Sequence, residues 1–331
     1  MKRGALLFSV IGLALLLFVS NSHGAASKQL WTFGTTSKAS GFYASLVYYS
    51  SLINKYVPEV SCTPIETGAT VDNWRRMDKG EVQLGFGAAG ADWQGYQGEG
   101  PFQGKPIKKG RVFWIDGFST YNWVVRADSG MKVVPDLNGK KVNISIAGSI
   151  AEELALWSFK LLGIQPKDIL KGSTADAIEQ MQNRRIDAWW KGSVHPDSAI
   201  VSLSATTPVS MLNFSDAELA KLHADRLYMS GYTIPANTYK GVSQYRTPGS
   251  YVSVIVTADI AQELQYKVIK AVYEHWEEFL AAFPGYKIFS DPLKLTAEGA
   301  IIPLSAGTVQ YLQEKGYTVP QKYIPPEYKK K

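Results

Sequence analysis

The stretch GSTADAIEQMQNRRIDAWW, residues 172–190, repeats the pattern of an earlier stretch, GATVDNWRRMDKGEVQLGF, residues 68–86. Equivalent positions lie 104 residues apart: Gly68 and Gly172, Thr70 and Thr174, Asp72 and Asp176, Met77 and Met181, Val82 and Ile186. Each stretch predicts a glycine turn, a short helix and an apolar strand. A chain that builds this unit twice predicts two similar α/β lobes facing each other across a cleft.

Strands and helices are predicted to alternate on both sides of these stretches. In the first half, strands are predicted in residues 28–36, 59–68 and 81–90, and helices in 41–56 and 69–80. After a looser stretch, further strands are predicted in 119–130, 139–149 and 186–190, and helices in 150–163 and 172–185. Single helices between successive strands favour a mainly parallel sheet.

The turns after these strands are rich in glycine, serine and threonine. In open α/β sheets, ligands bind at the carboxyl ends of the strands. Small residues let backbone N–H groups approach a ligand, and helix N-termini favour anions. Ordinary helix capping explains each serine or threonine singly, but it does not explain their recurrence at matching places. The turns therefore predict one wall of a ligand cleft from each half.

The N-terminus has the layout of a secretory signal. MKRG is a short basic region, residues 5–20 are uninterrupted apolar sequence, and small residues follow, with cleavage expected after Gly24 or Ala26. A permanent membrane anchor is the alternative, because the apolar run is of borderline length for a membrane span. The absence of a basic stop-transfer cluster favours cleavage, which predicts an exported, periplasmic protein with a signal peptide at residues 1–26.

Composition excludes several classes of function. The 331 residues carry a formal charge of +6, but five cations lie in the signal or the C-terminal tail: Lys2, Arg3, Lys329, Lys330 and Lys331. The remaining body carries about +1 and no basic stripe, which argues against nucleic-acid binding. The single cysteine, Cys62, is predicted to be a buried thiol. The four histidines have no metal-ligand spacing, and no phosphate loop or nucleophile elbow is present.

An ordered set of segments resembles the TAXI family, the TRAP-associated extracytoplasmic immunogenic solute-binding proteins. These segments are FGTTSKASGFY (33–43), ETGATVDNWRRMDKGEVQLGF (66–86), GYQGEGPFQGK (95–105), VVRADSGMKVVPDLNGKKVNISIAGS (124–149), YTIPANTYKGVSQ (232–244) and IIPLSAGTVQYLQEKGY (301–317). The similarity extends from about Trp31 to Tyr317.

The resemblance implies an α/β protein of the type II periplasmic binding fold, with two lobes around a central ligand cleft. Residues 27–126 plus about 236–331 would form lobe 1, with the C-terminal helices of 261–280 packed on it, and about 127–235 would form lobe 2. Such a protein is a monomer that captures a small molecule, here a carboxylate, and delivers it to the membrane subunits of a TRAP transporter. It uses no cofactor or metal and is not an enzyme.

The turns and the resemblance together define the predicted ligand-binding residues. They are Gly34, Thr35, Thr36, Ser37, Gly41, Tyr43, Thr67, Gly68, Ala69, Thr70, Gly87, Ala88, Ala89, Gly148, Ser149, Trp190, Lys191 and Gly192.

Some predicted site residues depart from the family pattern. AGSIAEE (147–153) keeps Gly148 and Ser149 but lacks the family's following glycine and threonine, and AWWKGS (188–193) places a lysine where family members carry an uncharged residue. Lys191 is interpreted either as a solvated strand-end lysine or as a partner for a ligand carboxylate. Six aromatic residues near the predicted cleft individually favour core packing and together favour a flat or aromatic carboxylate: Trp93, Trp114, Tyr121, Trp123, Trp189 and Trp190.

Two other functions stay open at this point. An enzyme on the same fold, such as a dehydratase, would need a paired acid and base in the cleft. Glu152 and Glu153 are the carboxylates beside a predicted site loop, but a first-turn position accounts for both. The second alternative is a solute sensor that reports to a membrane kinase. Arg75 and Arg76 are expected on a solvated helix face, and His195 can be structural or contact the ligand.

Overall fold

The computed structural model describes residues 28–38, 40–288 and 290–330. Its first half alternates strands and helices as predicted. The elements are β1 (Gln29–Gly34), α1 (Tyr43–Tyr56), β2 (Val60–Ile65), α2 (Thr70–Asp78), β3 (Leu84–Ala88) and α3 (Ala89–Gln97). The predicted third strand ends earlier than expected, because Ala89 and Gly90 already belong to α3.

The looser stretch between residues 90 and 119 contains the first part of the longest strand. This strand, β4 (Gly110–Arg126), is buried along almost its entire length. The second half then contains β5 (Lys141–Asn143), α4 (Ile150–Leu162), β6 (Asp168–Leu170), α5 (Thr174–Gln182), β7 (Ala188–Ser193), α6 (Ser198–Thr206), β8 (Val209–Met211), α7 (Asp216–Asp225) and β9 (Ser230–Ile234). Residues 144–149, predicted as strand, follow β5 as a turn.

The C-terminal part returns through a second long strand and ends in helices. Its elements are β10 (Tyr245–Thr257), α8 (Gln262–Glu274), α9 (Trp276–Ala282), α10 (Pro292–Gly299) and α11 (Ala306–Glu314). Helix α8 packs against α1 and α11, on the side of the first strands.

One sheet joins the two halves in the order β2-β1-β3-β10-β4-β7-β5-β6. The outer pairs, β1 with β2 and β3 and β5 with β6 and β7, are parallel. The central pairs are antiparallel, because β4 and β10 run between the halves and pair with each other. This arrangement places the carboxyl ends of β1, β2 and β3 opposite those of β5, β6 and β7, which is where a cleft was predicted.

The repeated stretches fold alike. Helices α2 and α5 each have nine residues, and each begins at the matched threonine. Asp72 accepts a hydrogen bond from the Gly68 amide at 3.0 Å, and Asp176 accepts one from the Ser173 amide at 2.7 Å. The paired methionines and the paired apolar residues that follow them are fully buried. The two stretches are therefore similar in structure as well as in sequence.

Most of the large aromatic residues belong to the core. Trp114, Trp123 and Trp190 are at most 1% exposed, whereas Trp93 is 36% exposed. Cys62 is buried with its sulfur 3.7 Å from the Ser50 hydroxyl, and burial raises its pKa to about 11, so the prediction of a buried thiol is confirmed.

No helix within the described residues is long and apolar enough to cross a membrane. The predicted signal peptide, residues 1–26, lies outside the described residues. Within the described part of the chain, no group of three or more histidine, cysteine, aspartate or glutamate side chains is arranged to hold a metal ion.

Candidate ligand-binding site

A cavity of about 110 Å³ lies at the facing strand ends and is lined from both halves of the chain. The first half contributes Thr36, Ser37, Ser40, Phe42, Ala69, Thr70, Phe86 and Ala88. The second half contributes Ser145, Ile146, Ser149, Ile150, Ala151, Gly172, Thr174, Trp189, Lys191 and Gly192. The two central strands add Ser119, Tyr121 and Val252.

Three helices begin at this cavity. Thr70 is the first residue of α2, Ile150 of α4 and Thr174 of α5, and all three line it. The first N–H groups of a helix have no partner within the helix, and the helix dipole adds partial positive charge there. The N-termini of α2 and α5 are those of the repeated units, so the duplication supplies anion-binding ends from both sides.

A hydroxyl group at one of these ends lacks a partner. The Thr70 hydroxyl is buried and, within the described residues, has no hydrogen-bond partner. A buried polar group without a partner costs about 1–3 kcal/mol. Because Thr70 lines the cavity, a polar ligand atom can supply the missing bond.

Backbone strain also gathers at the cavity. Ala69 has φ 70°, and Ser145 has φ 79°, a region that L residues with a side chain rarely adopt. Ala69 directly precedes α2, while Ser145 follows β5 and donates a hydrogen bond to the Trp190 carbonyl at 2.8 Å. Both residues line the cavity, one from each half. Strained residues of this kind cluster at ligand-binding sites, where surrounding structure holds them in place.

An apolar wall completes the cavity. It consists of Phe42, Phe86, Val252, Ile146 and Ile150, together with the Trp189 and Tyr121 rings. Burial raises the pKa of Tyr121, so its hydroxyl stays protonated. Helix N-termini at one side and apolar rings at another suit a small acid with an apolar body.

Lys191 lines the cavity but is not solvated. Its side chain is 8% exposed, and its Nζ lies 3.4 Å from Oδ2 of Asp197, whose side chain is fully buried. Nζ also donates a hydrogen bond to the Gly192 carbonyl at 2.8 Å. The interpretation of Lys191 as a solvated strand-end lysine is therefore wrong. The lysine is already part of a buried ion pair.

His195 has a structural position behind this pair. Its Nε2 lies 2.5 Å from the Thr120 hydroxyl, and its Nδ1 lies 2.8 Å from the Tyr239 hydroxyl. Burial, with a smaller effect from Lys191, lowers the pKa of His195 to about 4, although Asp197 opposes the shift. His195 is therefore neutral near pH 7 and does not line the cavity.

Eight of the predicted ligand-binding residues line the cavity. They are Thr36, Ser37, Ala69, Thr70, Ala88, Ser149, Lys191 and Gly192. Their contact with a ligand stays a prediction, but the strand-end loops of both halves do come together as expected.

The other predicted residues lie beside the cavity and not on its wall: Gly34, Thr35, Gly41, Tyr43, Thr67, Gly68, Gly87, Ala89, Gly148 and Trp190. The hydroxyls of Thr35 and Thr67 bind the carbonyls of Ile65 and Thr35 and so fix the loops. Gly148 has φ 77°, and its amide donates to the Glu152 carboxylate. The positive φ of Gly148 is what favours glycine here. Lack of space is not the reason, since an added Cβ would have no atom within 4 Å.

Trp190 lies in the core, and Trp189 lines the cavity in its place. Successive side chains of a strand point to opposite faces. Trp189 and Lys191 therefore share one face of β7 and both line the cavity, while the Trp190 ring, on the other face, packs near Trp123 and donates to the Ala151 carbonyl at 3.0 Å. The sequence prediction named Trp190 as a ligand-binding residue, but of the two tryptophans only Trp189 lines the cavity.

Several cavity residues escaped sequence reasoning. Ser119 lies on β4, where strand alternation could have grouped it with Tyr121, which the sequence analysis named only as one of six aromatic residues near the predicted cleft. Gly172 and Thr174 carried a usable signal, since they are the repeat partners of Gly68 and Thr70.

A second cavity, of about 550 Å³, is larger but has different chemistry. Trp93, Glu99, Arg226 and Tyr228 are among its lining residues. Three of its charged groups already have side-chain partners: Arg226 binds Glu153 at 2.5 Å, Asp225 accepts from the Trp157 ring nitrogen at 2.7 Å, and Glu99 accepts from the Trp93 ring nitrogen at 3.1 Å. We favour the smaller cavity as the ligand site, because helix N-termini and an unpartnered hydroxyl face it.

The loops of the two halves touch across the smaller cavity. An added Cβ at Gly41 would lie 3.1 Å from Asp197 Oδ2, and one at Gly90 would lie 2.9 Å from Ile150 Cδ1. Gly41 and Gly90 of the first half therefore lie close to Asp197 and Ile150 of the second half.

A family model, the NMT1-like family, matches residues 33–316. The chain belongs to the NMT1-like family. This assignment covers almost all of the region that carries the TAXI resemblance, and it leaves the class of transporter open.

Solved structures similar to this NMT1-like chain show its fold. One comes from work on glutathione import in Gram-positive bacteria via GshT and the cystine ABC importer TcyBC of Streptococcus mutans: it has 13% identity and a TM-score of 0.50, over 80% of this chain and 96% of that chain. The substrate binding protein of an amino acid ABC transporter has 14% identity and a TM-score of 0.48, over 80% and 100%. The periplasmic aliphatic sulphonate binding protein SsuA from Escherichia coli has 17% identity and a TM-score of 0.44, over 87% of this chain and 91% of that chain. The NMT1-like chain has the type II periplasmic binding protein fold.

Proposed function

We propose that this protein is a periplasmic solute-binding receptor that captures a small organic anion, a carboxylate or amino acid-like molecule. The observation that carries the proposal is the convergence of three helix N-termini, from both halves of the chain, on one cavity. The unpartnered Thr70 hydroxyl at the same place supports it. Backbone N–H groups and helix dipoles are suited to bind an acid group, and they perform no chemistry on it.

We further propose that residues 27–126 plus about 236–331 form lobe 1 and about 127–235 form lobe 2. The long strands β4 and β10 of lobe 1 then pair with β7, β8 and β9 of lobe 2, and ligand contacts from both sides favour the closed arrangement. The monomer is the proposed functional unit.

The membrane partner has two candidates. The resemblance to the TAXI family favours the membrane subunits of a TRAP transporter. Binding proteins of ABC transporters are among the solved structures of similar fold, so an ABC importer is the second candidate. Transport assays in vesicles separate the two, because a TRAP transporter requires an ion gradient and an ABC importer requires ATP.

We propose a binding function and not catalysis. Two buried acids lie near the sheet, but both are held by structural partners. Asp92 accepts from the Trp74 ring nitrogen at 2.9 Å and the Ser253 hydroxyl at 2.6 Å, and Asp116 accepts from the Tyr49 hydroxyl at 2.5 Å. Neither lines the cavity, so neither supports the acid-base pair that a dehydratase-like enzyme needs.

Native mass spectrometry of protein purified from the periplasm tests the proposal. We expect a small organic acid to co-purify at one molecule per chain and to be released on unfolding. The released acid should bind again to refolded protein in titration calorimetry. If no small acid co-purifies and none of a broad panel of carboxylates binds, the receptor function is wrong.

A further inference from the structure

The buried ion pair beside the cavity has an unusual position for a solute site. The Lys191 ammonium lines the cavity, but Asp197, 3.4 Å away, neutralises it from behind. Both side chains are almost completely removed from solvent. A ligand in the cavity therefore meets an ion pair and not an isolated cation.

Asp197 is held in place by its other atoms. Its Oδ1 accepts from the amides of Ala199 and Ile200 at 2.9 and 3.1 Å and caps α6. Its own amide donates to the Tyr239 hydroxyl at 2.9 Å. Oδ2, in contrast, has no hydrogen-bond partner within the described residues. Gly41 lies over this oxygen, so the first half of the chain covers the carboxylate.

The neighbouring histidine does not change this balance near pH 7. His195 shares the Tyr239 hydroxyl with Asp197 and is neutral, since the pKa of its imidazole is lowered to about 4 by burial. Lys191 is therefore the cation that balances Asp197, and the pair has no net charge left for a ligand.

We propose that Asp197 is a specificity-determining residue that limits the solute to a single negative charge. The inference rests on the proposed receptor function and specifies its substrate class: a small monocarboxylate with an apolar or uncharged body. One acid group is bound by the helix N-termini. A second carboxylate near Lys191 would meet a charge that Asp197 already balances, so no free cation would offset the cost of removing this carboxylate from water.

Asp197→Asn tests the proposal with little change in structure. The asparagine oxygen can keep the cap of α6, because asparagine is as good an N-cap as aspartate. The Lys191 charge is then no longer balanced. The control is Asp291→Asn, the same change at the N-cap of α10, which does not line the cavity.

The probes are two matched pairs, succinate with succinamate and glutarate with glutaramate, in which an amide replaces one carboxylate. In calorimetric titrations the wild type should bind the monoanion of each pair at least tenfold more tightly. Asp197→Asn should shift this ratio at least tenfold towards the dianion, and Asp291→Asn should leave it unchanged.

A double variant tests whether the shift in Asp197→Asn arises from the unbalanced charge of Lys191. Lys191→Met/Asp197→Asn removes both charges, so its cavity has the same net charge as the wild type. We expect it to retain the preference for the monoanion. An unchanged preference in Asp197→Asn, or a wild type that prefers the dianion, would overturn the inference while leaving the receptor function intact.

If none of the four probes binds, the co-purifying acid decides. A monocarboxylate supports the inference and a dicarboxylate overturns it. Absence of any bound acid overturns the receptor function, and this inference with it.

Discussion

At the scale of single residues, the hydroxyl of Thr70 is expected to contribute to affinity and not to stability. Thr70→Val keeps the shape and removes a buried group that has no partner. Free-energy contributions of hydrogen bonds to charged groups are about 1.5–3 kcal/mol, so binding of the co-purifying acid should weaken about tenfold or more. The thermal midpoint without ligand should be unchanged or higher.

Thr35→Val is the matched control for this change. The Thr35 hydroxyl is also buried, but it donates to the Ile65 carbonyl at 2.7 Å. Its loss should lower the free energy of unfolding by about 1 kcal/mol. An affinity equal to wild type for Thr70→Val in calorimetry would show that this hydroxyl does not bind the ligand.

The buried imidazole of His195 predicts a pH effect on stability. Its pKa is about 4 in the folded protein, against 6.5 as the ordinary value, so the unfolded chain binds an extra proton between these limits. The stability from neutral His195 is therefore complete above about pH 6.5 and is lost as the pH falls towards 4. At pH 5 the loss is at most about 2 kcal/mol.

His195→Gln isolates this contribution from those of other titrating groups. Asp92 and Asp116, whose pKa values burial raises to about 7, act in the opposite direction and stabilise the fold as the pH falls. We therefore measure the free energy of unfolding with denaturant at pH 7 and at pH 5. On going to pH 5, this free energy should fall less, or rise more, in the variant than in the wild type. Equal changes in both proteins would contradict the shifted pKa.

At the scale of elements, helix capping separates structure from binding. Ser149 caps α4 at the cavity and accepts a hydrogen bond from the Glu152 amide at 3.2 Å. Ser215 caps α7 in the same way and accepts from the Glu218 amide at 3.3 Å, but the N-terminus of α7 does not line the cavity. Replacing either serine by alanine should cost about 1 kcal/mol of stability. Only Ser149→Ala should also weaken ligand binding, because only this N-terminus faces the ligand. Equal affinities in the two variants would argue against a role of α4 in binding.

The repeated units were predictable because each carries a complete local pattern. The glycine, the first-turn aspartate and the buried methionine of α2 and α5 lie at the same positions, so one unit helps to identify the other. Two elements were missed for physical reasons. The strand predicted over residues 81–90 includes Ala89 and Gly90, but Ala89 starts α3, whose sequence is rich in glycine and alanine. Strand β4 is buried on both faces, so its first part lacks the alternation that marks a half-exposed strand.

At the scale of the whole molecule, the candidate site depends on distances that the sequence does not contain. Alternation predicts that Trp189 and Trp190 face opposite sides of β7, but only the packing of Trp190 near Trp123 decides which one reaches the cavity. In the same way, the pairing of Lys191 with Asp197 requires the chain to turn back after β7. The strand-end turns were predictable, whereas the charge of the cavity was not.

Closure of the two proposed lobes is the last prediction. Gly90, in α3, lies against Ile150 of α4, and an added Cβ would meet its Cδ1 at 2.9 Å. Gly90→Val should therefore hold the lobes apart, with an affinity loss of about tenfold and a change of about 1 kcal/mol or less in unliganded stability.

Small-angle scattering with and without the co-purifying acid measures this closure. In the wild type and in the control Gly285→Val, where an added Cβ meets open space, ligand should reduce the radius of gyration. In Gly90→Val this compaction should be absent or reduced, because the valine occupies the space into which Ile150 closes. A wild-type radius that does not change at saturating ligand would count against two moving lobes. Compaction and affinity at wild-type level in Gly90→Val would show that α3 and α4 do not form the closing contact.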